Sequence, residues 1–265
     1  MPEGHTIHRI AQDHNELLKG KVVRVSSPQG RFQTDAARVD GRVLDDIEAF
    51  GKHLFYWWSN GDVGHIHLGL FGKFSVRKGL VAIDPIGQVR MRLETGLVTI
   101  DLAGPTACTI GTAEDRDVIL RRLGPDPLRP DAQPGVAVAR MAKSKRALGS
   151  LLLDQSVLCG VGNVYRAEAL FFNNIHPSRP GNQATTDELY GIWNTLEQML
   201  QQGVKDNSII TVDSELLNLP DNGKVRRGDR NYVYHRDRCL ICTTAIQTVE
   251  LAGRPCYFCP SCQPR

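Results

Sequence analysis

Residues 239–262 read CLICTTAIQTVELAGRPCYFCPSC, and this stretch decides how the C-terminal part of the chain folds. It contains two Cys-x2-Cys pairs with sixteen residues between them: Cys239, Cys242, Cys259 and Cys262. This spacing is typical of a zinc site formed by four thiolates. The residues between the pairs, with 248–251 before a glycine, are predicted to form the hairpin of a zinc ribbon. Four thiolates fill the coordination sphere, so one structural zinc ion is expected.

Other interpretations of the cysteines remain open, namely disulfides and free thiols. Seven cysteines in an intracellular chain favour metal binding or free thiols over disulfides. Cys256 is a rival ligand, because Cys256-x2-Cys259 has the same spacing. We favour Cys259 with Cys262 because the loop between the pairs then has the more usual length. Cys108 and Cys159 are expected to be ordinary small apolar residues.

The basic residues of the chain are unevenly distributed. Its 265 residues are enough for two domains, and its formal net charge is +3. Residues 222–265 contain eight Lys/Arg against three Asp/Glu, and residues 139–179 contain six against two. Two basic stretches favour a polyanionic partner, although solvated charged faces would give the same counts. The sequence has no apolar run of membrane length and no signal segment, so a soluble cytoplasmic protein is expected.

Secondary structure is predicted to change from β-rich to helical after residue 128. A helix over residues 6–19, with Thr6 as its N-cap, precedes short β runs that indicate an antiparallel sandwich or barrel. These runs cover residues 22–25, 43–50, 53–58, 63–67, 74–77, 89–93 and 97–102. Another helix is expected at 112–123, and residues 129–135 form a predicted linker. Later helices are expected at 136–143, 147–154, 164–173 and 186–205, with a loop at 206–230.

Residues 158–165, LCGVGNVY, connect two of these predicted helices through a Gly-x-Gly turn. A helix that begins at or near Asn163 would present backbone N–H groups and a positive dipole end to a phosphate. The alternative is a tight helix connection that binds nothing.

The N-terminus, Met1-Pro2-Glu3-Gly4, offers an unusual nucleophile if Met1 is removed. Pro2 would then carry a secondary amine, and roughly a tenth of such amines are uncharged at neutral pH. Attack on the C1′ of a sugar would produce an iminium directly, and Glu3 is placed to transfer protons. The alternative is a frayed terminus in which neither residue has a role.

Four features occur in one order along the chain: Pro-Glu-Gly at the N-terminus, Gly-Lys-His-Leu at 51–54, the Gly-x-Gly segment, and YFCPSCQ at 257–263. In this combination the chain resembles the formamidopyrimidine-DNA glycosylase/endonuclease VIII family over its whole length. The resemblance implies an α+β fold with an N-terminal β-sandwich and leading helix (1–128), a helical domain with a helix–two-turn–helix (129–230) and a C-terminal zinc ribbon (231–265). It also implies a DNA glycosylase that is an AP lyase.

The resemblance implies catalytic roles for Pro2, Glu3, Lys52 and Arg254. Pro2 is similar to the nucleophile that displaces the damaged base, and Glu3 to the acid that assists sugar-ring opening. Lys52 matches a lysine that supports β-elimination and contacts phosphate; the alternative is a surface lysine on a strand. Arg254 matches the ribbon arginine that binds phosphates and assists δ-elimination.

Four more residues are expected at the DNA by the same resemblance. Asn163 matches a phosphate-binding asparagine. Arg122 resembles a DNA-contacting arginine, although arginine is also common at helix C-termini for dipole reasons. Leu70 and Phe71 lie in the segment that fills the gap left by a flipped nucleotide, and core packing on a β run is their alternative.

Two departures from the family pattern concern the base that is recognised. His5 and Thr6 replace the usual Pro-Glu after Gly4, so a second acidic side chain is missing. No Arg-x-Phe follows the β run that ends at residue 102. The adjacent Leu70-Phe71 is closer to the endonuclease VIII branch, whose preference is for oxidised pyrimidines.

The resemblance therefore implies excision of oxidised bases, with oxidised pyrimidines expected, through a Schiff-base adduct on Pro2 and strand cleavage by β,δ-elimination. Damaged DNA, duplex or single-stranded, is the expected partner of a monomeric, nucleoid-associated enzyme. Two rival interpretations are a catalytically silent damaged-DNA-binding protein of the same fold and a zinc-ribbon transcription factor.

Overall fold

The computed structural model describes residues 2–79, 84–217, 225 and 227–265. These residues form two compact units. The first contains the residues up to Glu3 together with Ile7–Arg122, and the second contains Gly4–Thr6 together with Leu123–Arg265. Each unit has its own cluster of buried apolar side chains. The three-domain boundaries at residues 128 and 230 stay predictions.

The first unit is an antiparallel β-sandwich with a leading helix. Its strands are β1 Val22–Ser26, β2 Arg42–Phe50, β3 His53–Trp58, β4 Val63–His67, β5 Lys73–Lys78, β6 Val89–Glu94, β7 Val98–Ala103 and β8 Ala107–Gly111. Their order is β5-β7-β6-β1-β2-β3-β4-β8. Its helices are α1 Gly4–Leu18, α2 Gln33–Val39 and α3 Ala113–Leu120.

Strand β1 joins the two halves of this sheet. Its Val22 and Val23 pair with β2, whereas residues 24–26 pair with β6. A strand that changes partners along its length lets an antiparallel sheet turn a corner and pack against itself. Val23 and Val25 are buried while Val22 and Arg24 are exposed, so the period of two directs the apolar side chains into the core.

Helix α1 is close to its predicted range, but its N-cap is different. Glu3 occupies the N-cap position and Thr6 lies inside the first turn, so the prediction that Thr6 caps the helix is wrong. The side chain of Asn15 donates to the Ile47 carbonyl at 2.7 Å and accepts from the Ile47 amide at 2.9 Å. These two hydrogen bonds fix α1 to β2.

Helix α2 and strand β8 have no counterpart in the sequence prediction. Helix α2 has only seven residues, of which Ala36 and Val39 are buried, too few to show a helical apolar period. Strand β8 contains small residues and forms the edge of the sheet through its pairing with β4. The seven predicted strands agree with the observed strands to within one residue at each end.

The second unit is helical and ends in a β-hairpin. Its elements are α4 Pro134–Ala142, α5 Leu148–Leu151, α6 Asn163–Phe172, α7 Thr186–Asp206, β9 Gln247–Leu251 and β10 Arg254–Phe258. Helices α4 and α6 both pack against α7 around a shared apolar core. Helix α4 begins inside the predicted linker, because proline is well accommodated in a first helical turn. Helix α5 is a single turn, so the predicted helix at 147–154 is too long.

Capping boxes precede α3 and α7, and the one before α7 consists of Thr185 and Glu188. Thr112 and Asp115 form a capping box at the start of α3, which ends at Leu120, three residues before its predicted end.

Only part of the predicted loop at 206–230 lies within the described residues, because 218–224 and 226 are outside them. The described part contains the short 3-10 helices Ser214–Leu217 and Arg227–Asp229. Cys108 and Cys159 are buried, as expected. In the described part of the chain, no helix combines the length and apolarity needed to cross a membrane.

Candidate functional site

The N-terminal residues are held in place. Pro2 is half-buried, and Glu3 is fully buried in an extended conformation before α1. The Gly4 amide donates to the Gly160 carbonyl at 2.7 Å. A Cβ on Gly4 would lie 2.9 Å from the Gly160 Cα, so this close approach requires glycine. The alternative of a frayed terminus is therefore wrong for these residues, and the catalytic roles of Pro2 and Glu3 stay predictions.

Lys52 lies in the two-residue turn between β2 and β3 and not on a strand. Phe50 and His53 pair across the turn, and Gly51 has a φ of 57°. Two-residue hairpin turns need a positive φ at their first central position, which glycine adopts without strain. The Gly-Lys sequence thus places the half-buried Lys52 at the end of a hairpin. Its role in elimination stays a prediction.

Leu70 and Phe71 are exposed in the turn between β4 and β5. They keep 58% and 83% of their surface accessible, so the alternative that they pack in a core is wrong. The turn is tight: the Gly72 amide donates to the Leu68 carbonyl at 2.9 Å, and a Cβ on Gly72 would lie 2.3 Å from that oxygen. Adjacent apolar side chains exposed in this way suit a wedge for an unstacked base step.

Three histidines and one phenylalanine line a single face of β3 and β4: His53, Phe55, His65 and His67. His53 Nδ1 lies 2.9 Å from His65 Nε2, so one ring must donate and the other accept. Burial, followed by the nearby histidines, lowers the pKa of His53 to about 3. Burial also lowers the pKa of His65 to about 4. The pair is therefore uncharged at neutral pH. Sequence reasoning did not single it out, because its only signal was the alternation of two histidines on one strand.

Acid is expected to destabilise the first unit through His53 and His65. Their unfolded pKa is about 6.5 and their folded pKa values are lower, so the unfolded chain binds more protons as the pH falls below 6.5. The stabilisation is complete above about pH 6.5 and is lost progressively as the pH falls toward 4. Between pH 7 and pH 5 the expected loss is about 1–2 kcal/mol for each imidazole, measured as the free energy of unfolding in urea.

The double variant His53→Gln with His65→Gln isolates this effect from that of other buried histidines. Glutamine can still exchange a hydrogen bond with its neighbour but has no proton to gain near neutral pH. Its stability should therefore fall less steeply between pH 7 and pH 5 than that of the parent protein. An equally steep fall in both proteins would show that other groups cause the acid sensitivity.

Asn163 is the first residue of α6, and its side chain is hydrogen-bonded within the second unit. Its Nδ2 donates to the Pro255 carbonyl at 3.0 Å, and its Oδ1 accepts from the guanidinium of Arg166. Nδ2 carries two hydrogens, and the bond to the Pro255 carbonyl uses one of them. The orientation of the amide is thus set by its neighbours, while its binding to phosphate stays a prediction.

Arg166 and Glu168 are fully buried charged residues that sequence reasoning missed. Arg166 donates to three carbonyls of the β9–β10 hairpin at 3.1–3.3 Å, those of Leu251, Arg254 and Pro255. Glu168 accepts from the three consecutive amides of residues 232–234 at 2.8–3.0 Å. Helix α6 therefore holds both the hairpin and the segment before it. The available signal was a pair of opposite charges inside an otherwise apolar helix.

Arg254 is the first residue of β10 and follows the hairpin turn Ala252-Gly253. Both turn residues have positive φ, 54° and 68°, as the preferred two-residue hairpin turn requires. The bond from Arg166 to the Arg254 carbonyl fixes the backbone at this residue. Arg122 is exposed at the last position of the first unit, just after α3. The roles of Arg254 and Arg122 stay predictions.

The four predicted cysteines form one group that could hold a metal ion: Cys239, Cys242, Cys259 and Cys262. Their sulfur atoms all lie within 4.8 Å of one another, and no other such group is found among the described residues. All seven cysteines are free of disulfides. Cys256 lies outside the group, and burial raises the pKa of its thiol to about 11. The alternative in which Cys256 is a ligand is therefore wrong.

Two family models and a solved structure match this chain. The model described as "Formamidopyrimidine-DNA glycosylase N-terminal domain" matches residues 1–103, and "Formamidopyrimidine-DNA glycosylase H2TH domain" matches residues 123–214. The crystal structure of Lactococcus lactis formamidopyrimidine-DNA glycosylase, bound non-covalently to DNA that contains an AP site, has a TM-score of 0.82. It is 20% identical and covers 99% of this chain and 100% of that chain, so this likeness concerns the fold.

Related sequences extend over nearly the whole chain. "Endonuclease 8 1" of Mycobacterium tuberculosis is 45% identical over 99% of this chain and 100% of its own length. "DNA-(apurinic or apyrimidinic site) lyase Nei2" of Mycolicibacterium smegmatis is 32% identical over 99% of each chain. "Formamidopyrimidine-DNA glycosylase" of Symbiobacterium thermophilum is 28% identical over 100% of this chain and 88% of its own. The resemblance is thereby confirmed, and the chain belongs to the formamidopyrimidine-DNA glycosylase/endonuclease VIII family of DNA-repair glycosylases.

Proposed function

We propose that the protein is a bifunctional DNA glycosylase and AP lyase that removes oxidised bases, chiefly oxidised pyrimidines. The observation that carries the proposal is the held N-terminus, in which the candidate nucleophile Pro2 and the buried Glu3 precede a glycine bonded to Gly160. A relative named Endonuclease 8 1, 45% identical and matched over its full length, supports the same activity.

The first step would form a bond between the nitrogen of Pro2 and the C1′ of the damaged nucleotide. The nitrogen lone pair attacks C1′ and the bond to the base breaks, so the base leaves with the electron pair; the proton that the attacking nitrogen releases balances the one that the base takes up. Glu3 gives a proton to the ring oxygen as the C1′–O4′ bond opens. The product is an iminium, because the proline nitrogen has no second hydrogen to lose.

Two eliminations would then cut the strand. Loss of a proton from C2′ breaks the bond from C3′ to its oxygen, and a second proton loss breaks the bond from C5′ to its oxygen, leaving a 3′-phosphate. We propose that Lys52 contacts a phosphate and supports both base loss and the first elimination, with its larger share in base loss, and that Arg254 assists the second elimination. Asn163 and Arg122 would bind other phosphates. Leu70 and Phe71 would fill the gap left by the extruded nucleotide, where they offset part of the unstacking cost.

The cysteine group fits one structural zinc ion. Four sulfur atoms about 2.3 Å from zinc lie about 3.8 Å apart in a tetrahedron, and three of the sulfur pairs are 3.4, 3.5 and 3.9 Å apart. Thiolate sulfur suits zinc among the divalent metals. When bound, the ion would supply structural cross-linking and no reactive position, since all four ligands come from the chain. Cys239 and Cys242 would thereby be tied to the end of β10.

Damaged DNA is the proposed partner. The basic stretches at 139–179 and 222–265 provide the positive charge that a phosphate backbone needs. The structural neighbour from L. lactis was crystallised with DNA that contains an AP site. The preference for duplex or single-stranded DNA, the monomeric state and the cytoplasmic, nucleoid-associated location stay predictions.

A panel of oligonucleotides, each with one defined lesion, tests the proposed substrate. Thymine glycol and 5-hydroxycytosine represent oxidised pyrimidines, and 8-oxoguanine represents oxidised purines, each in duplex and single-stranded form. Single-turnover excision of the pyrimidine lesions should be at least about tenfold faster than that of 8-oxoguanine. Faster excision of 8-oxoguanine would overturn the pyrimidine preference. Tight binding without any excision or abasic-site cleavage would favour the catalytically silent DNA-binding protein.

Replacing Lys52 with alanine is expected to slow base excision more than cleavage of a pre-formed abasic site. A positioned proton-transfer group contributes about 10²–10⁴-fold to a rate, so excision should fall by about 10²-fold or more. An exposed aldehyde still reaches Pro2, and the adduct is acidic at C2′, so abasic-site cleavage should fall by less than about tenfold. Single-turnover assays at saturating enzyme give both rates. Lys73→Ala, which replaces an exposed lysine on β5, is the matched control. Equal losses of base excision and abasic-site cleavage in Lys52→Ala would contradict the assignment.

Replacing Arg254 with alanine is expected to change the ratio of the two 3′ products. Without the arginine that assists δ-elimination, the β-elimination product should accumulate at the expense of the 3′-phosphate. Gel separation of the products at saturating enzyme removes the effect of weaker DNA binding. Arg238 is an exposed arginine in the same C-terminal stretch, 222–265. Its replacement with alanine is the matched control and should leave the product ratio unchanged. An unchanged ratio in Arg254→Ala would restrict this arginine to phosphate binding.

A further inference from the structure

His5, which replaces the usual proline of the family opening, is buried in the second unit with only 4% of its surface accessible. Its ring meets the ring of Tyr165 edge-on, with centroids 5.3 Å apart and planes at 79°. Its Nε2 lies 3.1 Å from the hydroxyl oxygen of Thr6. A histidine at the first turn of α1 thus makes its contacts with α6 and not with solvent.

Gly203 on α7 provides the space in which this imidazole lies. A Cβ at residue 203 would lie 2.1 Å from the Tyr165 hydroxyl oxygen and 3.0 Å from His5 Cγ. Glycine in the interior of a long helix is less favourable than alanine. The close approach of His5 and Tyr165 accounts for a glycine at this position. The neighbouring Gly4 approaches the turn before α6 just as closely, at Gly160.

We propose that His5 is a positioning residue for the N-terminal nucleophile: its imidazole, packed on Tyr165 and Gly203, fixes the first turn of α1 and so the direction in which Glu3 and Pro2 leave it. The inference rests on the proposed function. Pro2 is three residues from His5, and the backbone between them includes Gly4, which would otherwise allow rotation. The hydrogen bond from the Gly4 amide to Gly160 and the packing of His5 on Tyr165 together reduce that freedom.

The chemical character of His5 suits this role. Burial lowers its pKa to about 4, so the ring is uncharged at neutral pH. An uncharged ring fills the space without adding a positive charge beside an amine that must lose its proton to react. Because the ring acts through the backbone of Gly4 and Glu3, His5 is a positioning residue and not a catalytic one.

Two variants test the inference in the full-length protein with Met1 removed. His5→Ala deletes the ring, and Gly203→Ala displaces it while placing a better helix former on α7. Both are expected to slow borohydride trapping on an abasic oligonucleotide at least about tenfold under single-turnover, saturating conditions, because misplacement by about 1 Å can cost about 10²-fold. Affinity for the same DNA should stay within about threefold, since phosphate contacts are unchanged.

Gln12→Ala, an exposed substitution on the same helix, is the matched control and should trap at the parent rate. If His5→Ala does not fold, Gly203→Ala decides the question alone. Folded variants that trap within twofold of the parent would overturn the inference and leave the proposed function intact. If the parent itself forms no adduct, the proposed function fails, and the inference fails with it. A merely structural role predicts a lower melting temperature with an unchanged trapping rate.

Discussion

Extending the N-terminus by one residue, or replacing Pro2 with glycine, is expected to abolish borohydride trapping on abasic DNA. The extension converts the secondary amine into an amide, whose nitrogen lone pair is delocalised and no longer nucleophilic. The Pro2→Gly variant loses the secondary amine that gives an iminium directly. We expect the rate of adduct formation to fall by on the order of 10³-fold or more, as when other covalent nucleophiles are removed. Much of the affinity for DNA should remain, since the phosphate contacts lie elsewhere.

A cleavable extension makes the comparison within one preparation. Before cleavage the protein should bind an abasic oligonucleotide without forming a trapped species, and after cleavage to Pro2 the adduct should form. Mass spectrometry of the borohydride-reduced adduct should place the sugar on the N-terminal residue. A covalent adduct of normal yield in the uncleaved protein would show that another amine is the nucleophile, and the assignment of Pro2 would then be wrong.

Replacing Cys262 with serine is expected to remove the bound metal and weaken DNA binding at least about tenfold, which is about 1.4 kcal/mol. Structural zinc sites contribute about 10–16 kcal/mol of apparent binding free energy in small peptides, so loss of one thiolate should release the end of β10. The hairpin that carries Arg254 would then keep its hydrogen bonds to Arg166 and Asn163 but lose the link through the metal. The first unit has its own apolar core and should remain folded.

Cys256→Ala is the matched control for this prediction. Cys256 lies on β10 together with Arg254 and is buried, but its sulfur is outside the group of four. This variant should therefore keep one zinc per chain, measured by elemental analysis, and should keep its DNA affinity. Metal loss in Cys256→Ala together with metal retention in Cys262→Ser would contradict the ligand set. A chelated, metal-free protein with full activity would show that the group has no structural role.

Regular local patterns accounted for much of the fold from the sequence. The seven predicted strands matched because each has its own alternation of apolar and polar residues between turn residues. The cysteine pairs predicted the observed group because each Cys-x2-Cys pair is a local turn. The observed start of α6 at Asn163 lies within one residue of the predicted start, which followed from the Gly-x-Gly segment before it. In each case, residues close together in sequence determine the geometry.

Other predictions failed where neighbours distant in sequence decide the outcome. Helix α2 and strand β8 are too short to show a period, and pairing with β4 makes β8 a strand. Thr6 has the side chain of an N-cap, but the helix begins earlier because Gly4 is bonded to Gly160. Exposure at Leu70 and Phe71 could not be distinguished from core packing, since apolar side chains occur in both places.

The sequence by itself determined the reactive groups of this protein: a proline that can become the N-terminal residue, a carboxylate beside it, and four thiols in two pairs. Only the tertiary structure showed what holds these groups. Arg166 reaches the Arg254 carbonyl across 88 residues of chain, and His5 meets Gly203 on another helix. The physical reason is that the functional group of a side chain follows from the residue type, whereas its burial and its partners arise from packing among distant segments.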